Sequence, residues 1–170
     1  IVQAVDSVSL SIRKGEVVGL VGESGCGKST LGRMIAGLLE PSEGKVLFKG
    51  CDRAALIGPE ARAARLAVQM IFQDPYASLN PRMRVEAIVG EAPLMHGLVT
   101  RAKQPQFVAD VLKRVGLDPD FRRRFPHQFS GGQRSRIGIA RAIAVKPEFL
   151  VCDEAIAALD VSIQAQIINL

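Results

Sequence analysis

The length of 170 residues suits a single domain with a substantial hydrophobic core. Hydrophobic residues make up 48% of the chain and charged residues 23%, a composition typical of a soluble globular protein. No stretch without Asp, Glu, Lys or Arg runs much beyond about ten residues, which excludes a membrane-spanning helix. The modest net charge of +5 fits a nucleic-acid surface, an anionic membrane face or a nucleotide site, but an ordinary solvated basic surface is favoured. The one tight basic run, residues 122–124, lacks the interleaved aromatic residues of a nucleic-acid platform, and aromatic residues are only 5% overall.

The first part of the chain is predicted to form strands and then one helix. Residues 1–21 are predicted to form strands on either side of a turn at Lys14 and Gly15, and apolar and polar residues alternate over residues 8–13. Within this region, residues 17–21 predict a buried strand. A helix is predicted next, because apolar residues recur with the spacing of one helical face. That face consists of Leu31, Met34, Ile35, Leu38 and Leu39.

The middle of the chain alternates between turns and strands. A turn over residues 41–44 leads into a predicted strand over 45–49. Residues 51–65 are charged and contain glycine and proline, which predicts a surface connection. Alternating apolar residues then predict a strand over 66–72.

The remainder is predicted to be largely helical before the chain returns to a strand. An amphipathic face over residues 107–115 and a helix over 131–145 precede a short apolar run, 149–152, which suits a parallel strand buried on both faces. A helical piece inserted into an α/β core explains this order. We expect one domain over 1–170, with a core of 1–73 and 147–170 and a helical subdomain of 74–146.

Two features place the chain in its context. Cys26, Cys51 and Cys152 show neither metal-ligand nor disulfide spacing, which suits a reducing cytoplasm. The sequence starts without Met inside a strand-like alternation and stops within a predicted helix, residues 161–170. We therefore expect a fragment of a longer protein, truncated at both ends.

A glycine-rich loop predicts binding of a nucleoside triphosphate. Residues 22–29 fit the pattern G-x-x-x-x-G-K-[ST] and lie between a predicted strand and a predicted helix. Backbone N–H groups and the helix N-terminus would surround the phosphates, Lys28 would reach the β- and γ-phosphates, and Ser29 would bind Mg²⁺. Thr30 could donate to the α-phosphate. The predicted ATP-binding residues are Gly22, Glu23, Ser24, Gly25, Cys26, Gly27, Lys28, Ser29 and Thr30.

Polar residues at two predicted strand ends supply the remaining groups for phosphoryl transfer. Asp153 and Glu154 follow the strand over 149–152, at the end where α/β proteins bind ligands. Asp153 is the predicted Mg²⁺ ligand, acting through water or from the second coordination shell, and Glu154 could polarise the attacking water as a general base. Gln73 follows another strand, and its amide could bind Mg²⁺ and orient water.

A second glycine-rich helix start lies later in the chain. Ser130 is a good N-cap, and Gly131 and Gly132 leave the first-turn N–H groups sterically open. One nucleotide does not need two such sites in one subunit. We therefore expect the segment Ser130–Gln133 to close over the nucleotide of a second subunit.

Together these motifs resemble those of the ABC ATPases. Residues 129–133 resemble the signature motif, about twenty residues before Asp153 and Glu154, while Gln73 matches the Q-loop and residues 158–160, ending in Asp160, match the D-loop. The resemblance implies an α/β fold, with a P-loop NTPase (RecA-like) core, an N-terminal antiparallel β part and an inserted α-helical subdomain. Two further stretches resemble the oligopeptide, dipeptide and nickel importer ATPases of bacteria: 68–82 and 160–166.

The resemblance implies ATP and Mg²⁺ as cofactors and a head-to-tail dimer, with the signature motif contacting the γ-phosphate in trans. It also implies transmembrane permease subunits as partners and, indirectly, an extracytoplasmic solute-binding protein. Such a subunit lies peripherally on the cytoplasmic face of the bacterial inner membrane and hydrolyses ATP to drive import of peptides or nickel. No nucleic acid is expected as a partner.

The sequence departs from the family pattern at a few positions. Ala155 stands where Pro is usual, Ala157 where Ser is common and Phe129 where Leu is common. The family's switch histidine is expected past Leu170, and its adenine-stacking aromatic before Ile1. Two alternatives remain: a soluble ABC ATPase that clamps DNA or ribosomes, and a regulatory nucleotide-binding half-site without turnover.

Overall fold

A computed structural model of the chain describes residues 3–72 and 79–153. These ranges contain five α-helices and four short β-strands, joined by turns and three 3₁₀ segments. The helices are α1 (Lys28–Ala36), α2 (Gly58–Ala67), α3 (Val85–Met95), α4 (Gln104–Arg114) and α5 (Gly131–Ala144). The strands are β1 (Leu47–Phe48), β2 (Cys51–Asp52), β3 (Val68–Ile71) and β4 (Phe149–Cys152).

The predicted N-terminal strands are absent from the described residues 3–21, although the predicted turn is present. Gly15 has a φ of 78°, and the N–H of Glu16 donates to the carbonyl of Arg13 across the turn, at 3.1 Å. The predicted buried strand over 17–21 is wrong, since Val17 and Val21 are exposed. Alternation determines which side chains share a face, but a strand also needs a neighbour to accept its backbone hydrogen bonds.

Helix α1 is shorter than the apolar spacing predicts, because a glycine ends it. Gly37 has a φ of 74°, and the N–H of Leu38 donates back to the carbonyl of Arg33 at 2.9 Å, as in a Schellman motif. Leu38 and Leu39, predicted on the helical face, therefore lie beyond the helix and are exposed. The guanidinium of Arg53 donates to two further carbonyls at this helix end.

The segment predicted as a surface connection contains regular structure. Strand β2 pairs antiparallel with β1, and Leu47 lies opposite Asp52 in this hairpin. A 3₁₀ turn over Arg53–Ala55 follows, capped by the Asp52 side chain, and then helix α2. Pro59 is tolerated because it lies in the first turn of α2, where its missing N–H would have no partner.

Strands β3 and β4 form a parallel pair. Val68 lies opposite Phe149 and Ile71 opposite Cys152, so both strands end at the same edge. Strand β3 begins two residues later than predicted, since α2 continues through Ala67. The parallel strand predicted over 149–152 is confirmed, but its side chains are half-buried or exposed. Within the described residues β4 pairs with β3 alone, and so only one of its edges is covered.

The hydrophobic core of the described residues lies mainly among helices α3, α4 and α5. Helix α3 packs against α4 and α5, and α5 also contacts β3. The face predicted over 107–115 is buried apart from the half-buried Phe107. Within residues 3–72 and 79–153, no helix combines the length and apolar character needed to cross a membrane. The largest described side chains with less than 2% exposure are Val85, Val89, Pro93, Val108, Leu112, Val115, Ile137 and Ile139.

Replacing Gly37 with alanine should destabilise the fold more than the same change at Gly44. Both glycines have left-handed backbones, with φ of 74° and 85°. A Cβ at Gly37 would lie 2.7 Å from Cζ of Arg53, whereas one at Gly44 would meet nothing within 4 Å. We expect Gly44→Ala to cost about 1–2 kcal/mol, and Gly37→Ala about 1–2 kcal/mol more because Arg53 is displaced. Urea unfolding followed by circular dichroism measures both; equal losses would contradict the role of Arg53.

Gly138→Ala should stabilise the protein. Gly138 lies inside α5, and a Cβ there would meet nothing within 4 Å. Because alanine restricts the unfolded chain and favours helix, we expect a gain of about 0.5–1 kcal/mol. Gly32→Ala in α1 is the matched control, since its Cβ would lie 3.3 Å from Cγ1 of Val151. A higher midpoint of thermal unfolding for Gly138→Ala alone is the expected result, and gains for both would show that packing at Gly32 is loose.

Candidate functional site

The glycine-rich loop enters α1 through backbone conformations that favour glycine. Gly25 has a φ of 81° and Gly27, the residue before the helix, a φ of 93°. A Cβ at Gly22 would lie 2.8 Å from the sulfur of Cys26, so the loop closes tightly on itself there. Helix α1 follows directly, and the first N–H groups of a helix have no partners within it. Residues 22–30, named the cradle below, thus combine a tightly closed turn with an electropositive helix start.

The side chain of Lys28 folds back across this cradle. Its Nζ donates to the carbonyl oxygens of Gly22 at 2.8 Å and Glu23 at 2.5 Å, and lies 3.7 Å from the sulfur of Cys26. The loop is exposed, so the ammonium group sits at its open face. The structure therefore places one cation where an anion entering the loop would meet it.

Ser29 and Asp153 meet although 124 positions separate them in the sequence. The hydroxyl of Ser29 donates to Oδ1 of Asp153 at 2.9 Å, and the pair is partly buried. Helix α1 brings Ser29 to this point by packing on β3 and β4. The backbone N–H of Asp153 donates to the carbonyl of Ile71 at 3.0 Å, which extends the parallel pairing by one residue and fixes the aspartate.

A hydroxyl beside a carboxylate suits a hard cation. Mg²⁺ prefers oxygen ligands and usually takes only one or two carboxylates from the protein, with the remaining positions filled by waters and substrate phosphates. Ser29 and Asp153 lie next to the phosphate-type cradle, so such phosphates would be within reach. Among the described residues there is no group of three or more His, Cys, Asp or Glu that could hold a metal ion.

Three predicted site residues lie outside the described residues: Gln73, Glu154 and Asp160. The described backbone ends next to two of them, since Phe72 follows β3 and Asp153 follows β4 at one edge of the sheet. The predicted roles of these three residues stay predictions. Ala155 and Ala157, where the sequence departs from the family pattern, also lie outside the described residues.

The second glycine-rich segment forms a capped helix start. The N–H of Gln133 donates to the Ser130 hydroxyl at 3.3 Å, and the amide oxygen of Gln133 accepts from the N–H of Ser130 at 3.0 Å. These reciprocal bonds form a capping box at the start of α5. A Cβ at Gly131 or Gly132 would meet nothing within 4 Å, so the space over this helix start is open. The contacts of Ser130 are local and do not reach the phosphate cradle.

Sequence analysis missed Arg53, which contacts the helix that carries Ser29. Its Nη1 donates to the carbonyl of Ile35 at 2.6 Å and its Nη2 to that of Ala36 at 3.1 Å. Desolvation by burial lowers the pKa of this guanidinium. No sequence signal identifies the contact, because the partners are backbone carbonyls 17 and 18 residues away.

Curated relatives of high identity are transport proteins by name. The chain is 57% identical over 170 residues to the putative oligopeptide transport ATP-binding protein YkfD of Bacillus subtilis, covering 99% of this chain and 52% of the relative. It is 54% identical to the oligopeptide transport ATP-binding protein AppF of the same organism, with the same coverage. The chain thus spans about half the length of these relatives.

Solved structures with this fold are ATP-binding cassettes. The ATP-binding cassette MJ0796, in a dimeric post-hydrolysis state bound to ADP and Pi, superposes with a TM-score of 0.84 and 32% identity. The match covers 96% of this chain and 71% of that one. A second dimeric structure of MJ0796 gives a TM-score of 0.83. The family model for ABC transporters matches residues 5–157, and so the chain belongs to the ABC transporter family.

Proposed function

We propose that this chain is the ATP-binding and ATP-hydrolysing part of a subunit that powers a bacterial ABC importer. The observation that carries the proposal is the 2.9 Å hydrogen bond between Ser29 and Asp153. It joins the end of a phosphate-type loop to the end of a parallel strand, which is where α/β proteins bind nucleotides. A hydroxyl–carboxylate pair at that point fits the Mg²⁺ of a magnesium nucleotide.

ATP would bind to the cradle at residues 22–30 chiefly through charge. The closed loop and the start of α1 present N–H groups to an anion. Lys28 would exchange its bonds to the carbonyls of Gly22 and Glu23 for the β- and γ-phosphate oxygens. Thr30, in the first turn of α1, would donate to the α-phosphate. Each of these groups binds charge already present in the substrate, so they supply affinity and orientation.

The magnesium ion would be held by Ser29, Asp153 and Gln73, with Asp153 acting through water. When bound, the ion neutralises charge on the transferring phosphoryl group. Ser29 and Asp153 already lie together. Asp153 is also fixed by its backbone hydrogen bond to Ile71, so the pair is held in place for an incoming ligand.

Glu154 would act as the general base that polarises the attacking water, and Gln73 would orient that water. Both belong to segments that continue directly from β3 and β4 at the edge where Asp153 lies. Water attack at the γ-phosphate needs a base on the far side from the leaving group, and a residue after the strand end suits that position. Asp160 would contribute to the D-loop at the same edge.

A second ABC ATPase subunit would complete the site in a head-to-tail dimer. The segment Ser130–Gln133 would contact the γ-phosphate bound by the partner, which explains why its helix start is preformed and open. The solved cassette MJ0796 is described as dimeric. Whether two copies of this chain or two related chains form the dimer does not alter this geometry.

The partners and cargo follow from the names of the relatives, which describe oligopeptide transport. We propose that the subunit lies on the cytoplasmic face of the inner membrane and couples to transmembrane permease subunits. An extracytoplasmic solute-binding protein would deliver peptides or nickel. The helical subdomain of residues 74–146 would face the permease, while residues 1–73 and 147–170 hold the nucleotide. The names do not favour a DNA or ribosome clamp.

Lys28→Ala should abolish ATP binding. Loss of a charge-assisted contact to two phosphate groups is expected to weaken affinity by about 100-fold. Titration with a fluorescent ATP analogue measures this. Lys45→Ala is the matched control, because Lys45 is exposed and its removal changes the net charge equally. Equal binding by both variants would contradict the assignment of the cradle.

Glu154→Gln should bind ATP but slow its hydrolysis by about 10²–10⁴-fold, the usual effect of removing a general base. In the full-length protein, sedimentation velocity should then show a dimer only with Mg-ATP. Adding Gly131→Asp should prevent the dimer while leaving ATP affinity unchanged, because it places a negative charge opposite the γ-phosphate in trans. Hydrolysis at the parent rate would contradict the role of Glu154, and a dimer that persists with Gly131→Asp would contradict the trans contact.

A further inference from the structure

The hairpin formed by β1 and β2 carries a cation to the C-terminal end of α1. Arg53 follows β2, and its guanidinium donates to the carbonyls of Ile35 and Ala36 at 2.6 and 3.1 Å. The last carbonyls of a helix have no partners within it and carry partial negative charge. A planar guanidinium can bind two such carbonyls at once, which fixes both position and orientation of the helix end.

Arg53 is itself held by the hairpin. Its backbone N–H donates to the carbonyl of Val46 at 3.0 Å, which continues the ladder beyond β1. The carboxylate of Asp52 caps the following 3₁₀ turn by accepting from the N–H of Ala54 at 3.1 Å. The side chain is half-buried, so these contacts are shielded in part from water. Movement of α1 relative to the hairpin would therefore break the contacts of Arg53.

The same hairpin also reaches β4. Lys49 lies in the turn between β1 and β2, and its Nζ contacts both carboxylate oxygens of Glu148 at 2.7 Å. Glu148 lies one residue before β4, and its N–H donates to the carbonyl of Ala67 at 2.8 Å. The ion pair is well exposed, at 62% and 53% of the two side chains, and such pairs contribute little. Arg53 is therefore the stronger of the two contacts.

The hairpin thus contacts the C-terminal end of α1 and the residue before β4. The opposite ends of this helix and this strand meet at the site. Ser29 lies in the first turn of α1, and Arg53 binds carbonyls at the other end of that helix. Glu148 precedes β4, and Asp153 follows it. We propose that Arg53 is a positioning residue that sets the placement of Ser29 against Asp153 and so supports magnesium-dependent nucleotide binding. This inference rests on the proposed function.

The effect should be specific to magnesium. The phosphate cradle runs directly into α1, and Lys28, the first residue of that helix, donates back to the loop, so we expect the cradle to move with the helix as one unit. Among the described residues of one subunit, the proposed contacts of metal-free ATP all belong to this unit. Binding of magnesium also requires Asp153, which directly follows β4. A shift of α1 relative to β4 should therefore weaken the binding of Mg-ATP but not that of metal-free ATP. If fewer molecules hold the competent arrangement, the apparent affinity falls by the same fraction.

The experiment compares ATP affinity with Mg²⁺ and with EDTA in the full-length parent protein, Arg53→Ala and Arg53→Lys. Arg62→Ala is the matched control, since Arg62 is exposed on α2 and its loss changes the charge equally. We expect Arg53→Ala to weaken Mg-ATP binding about tenfold while metal-free affinity stays within about twofold. Arg53→Lys keeps the charge but not the planar guanidinium, so its Mg-ATP affinity should lie between those of the parent protein and Arg53→Ala.

The outcomes separate the two proposals. Parent-like Mg-ATP affinity in Arg53→Ala, or an equal loss with and without Mg²⁺, would overturn the positioning role while leaving the proposed function intact. A parent protein that binds no ATP would overturn the proposed function, and this inference with it. If Arg53→Ala does not fold, Arg53→Lys carries the same comparison, and a magnesium-specific loss there supports the inference.

Discussion

The parallel pairing of β3 with β4 is the constraint on which the site depends. Because Ile71 lies opposite Cys152, the chain leaves both strands at one edge, and the hydrogen bond from Asp153 to Ile71 extends that pairing into the site. Helix α1 packs on both strands and brings the hydroxyl of Ser29 to Asp153. The site therefore forms only when residues more than a hundred positions apart are held by the sheet, which couples the chemistry to folding of the core.

Stability and chemistry are distributed unevenly over the molecule. The most deeply buried side chains lie in α3, α4 and α5, whereas the loop that carries Lys28 is exposed. In the described part of the chain, α5 packs in the core and begins at the open segment of Ser130. A rigid helix body with an exposed, capped start can present backbone N–H groups to a ligand without local ordering, which lowers the entropic cost of binding.

The sequence predicted the parts of this structure that depend on local signals. The helix over 131–145, the face over 107–115 and the strand over 149–152 each follow from local patterns of apolar and capping residues. The structure agrees with their bounds, although the strand is not buried on both faces as predicted. The prediction of N-terminal strands was wrong because an alternating pattern does not specify a pairing partner. The predicted end of α1 was wrong because the apolar spacing continues past Gly37, where the left-handed backbone ends the helix. The contacts of Arg53 could not be predicted, since backbone carbonyls carry no sequence signature.

The side-chain conformation of Lys28 limits how tightly the loop can bind a phosphate. Its ammonium is already solvated by two carbonyl oxygens of its own loop. A phosphate that enters must therefore compete for the ammonium, and the net gain is the difference between two sets of hydrogen bonds. The affinity of the loop for an anion is therefore lower than the charge of Lys28 alone implies, because part of that charge is already neutralised by hydrogen bonds within the loop.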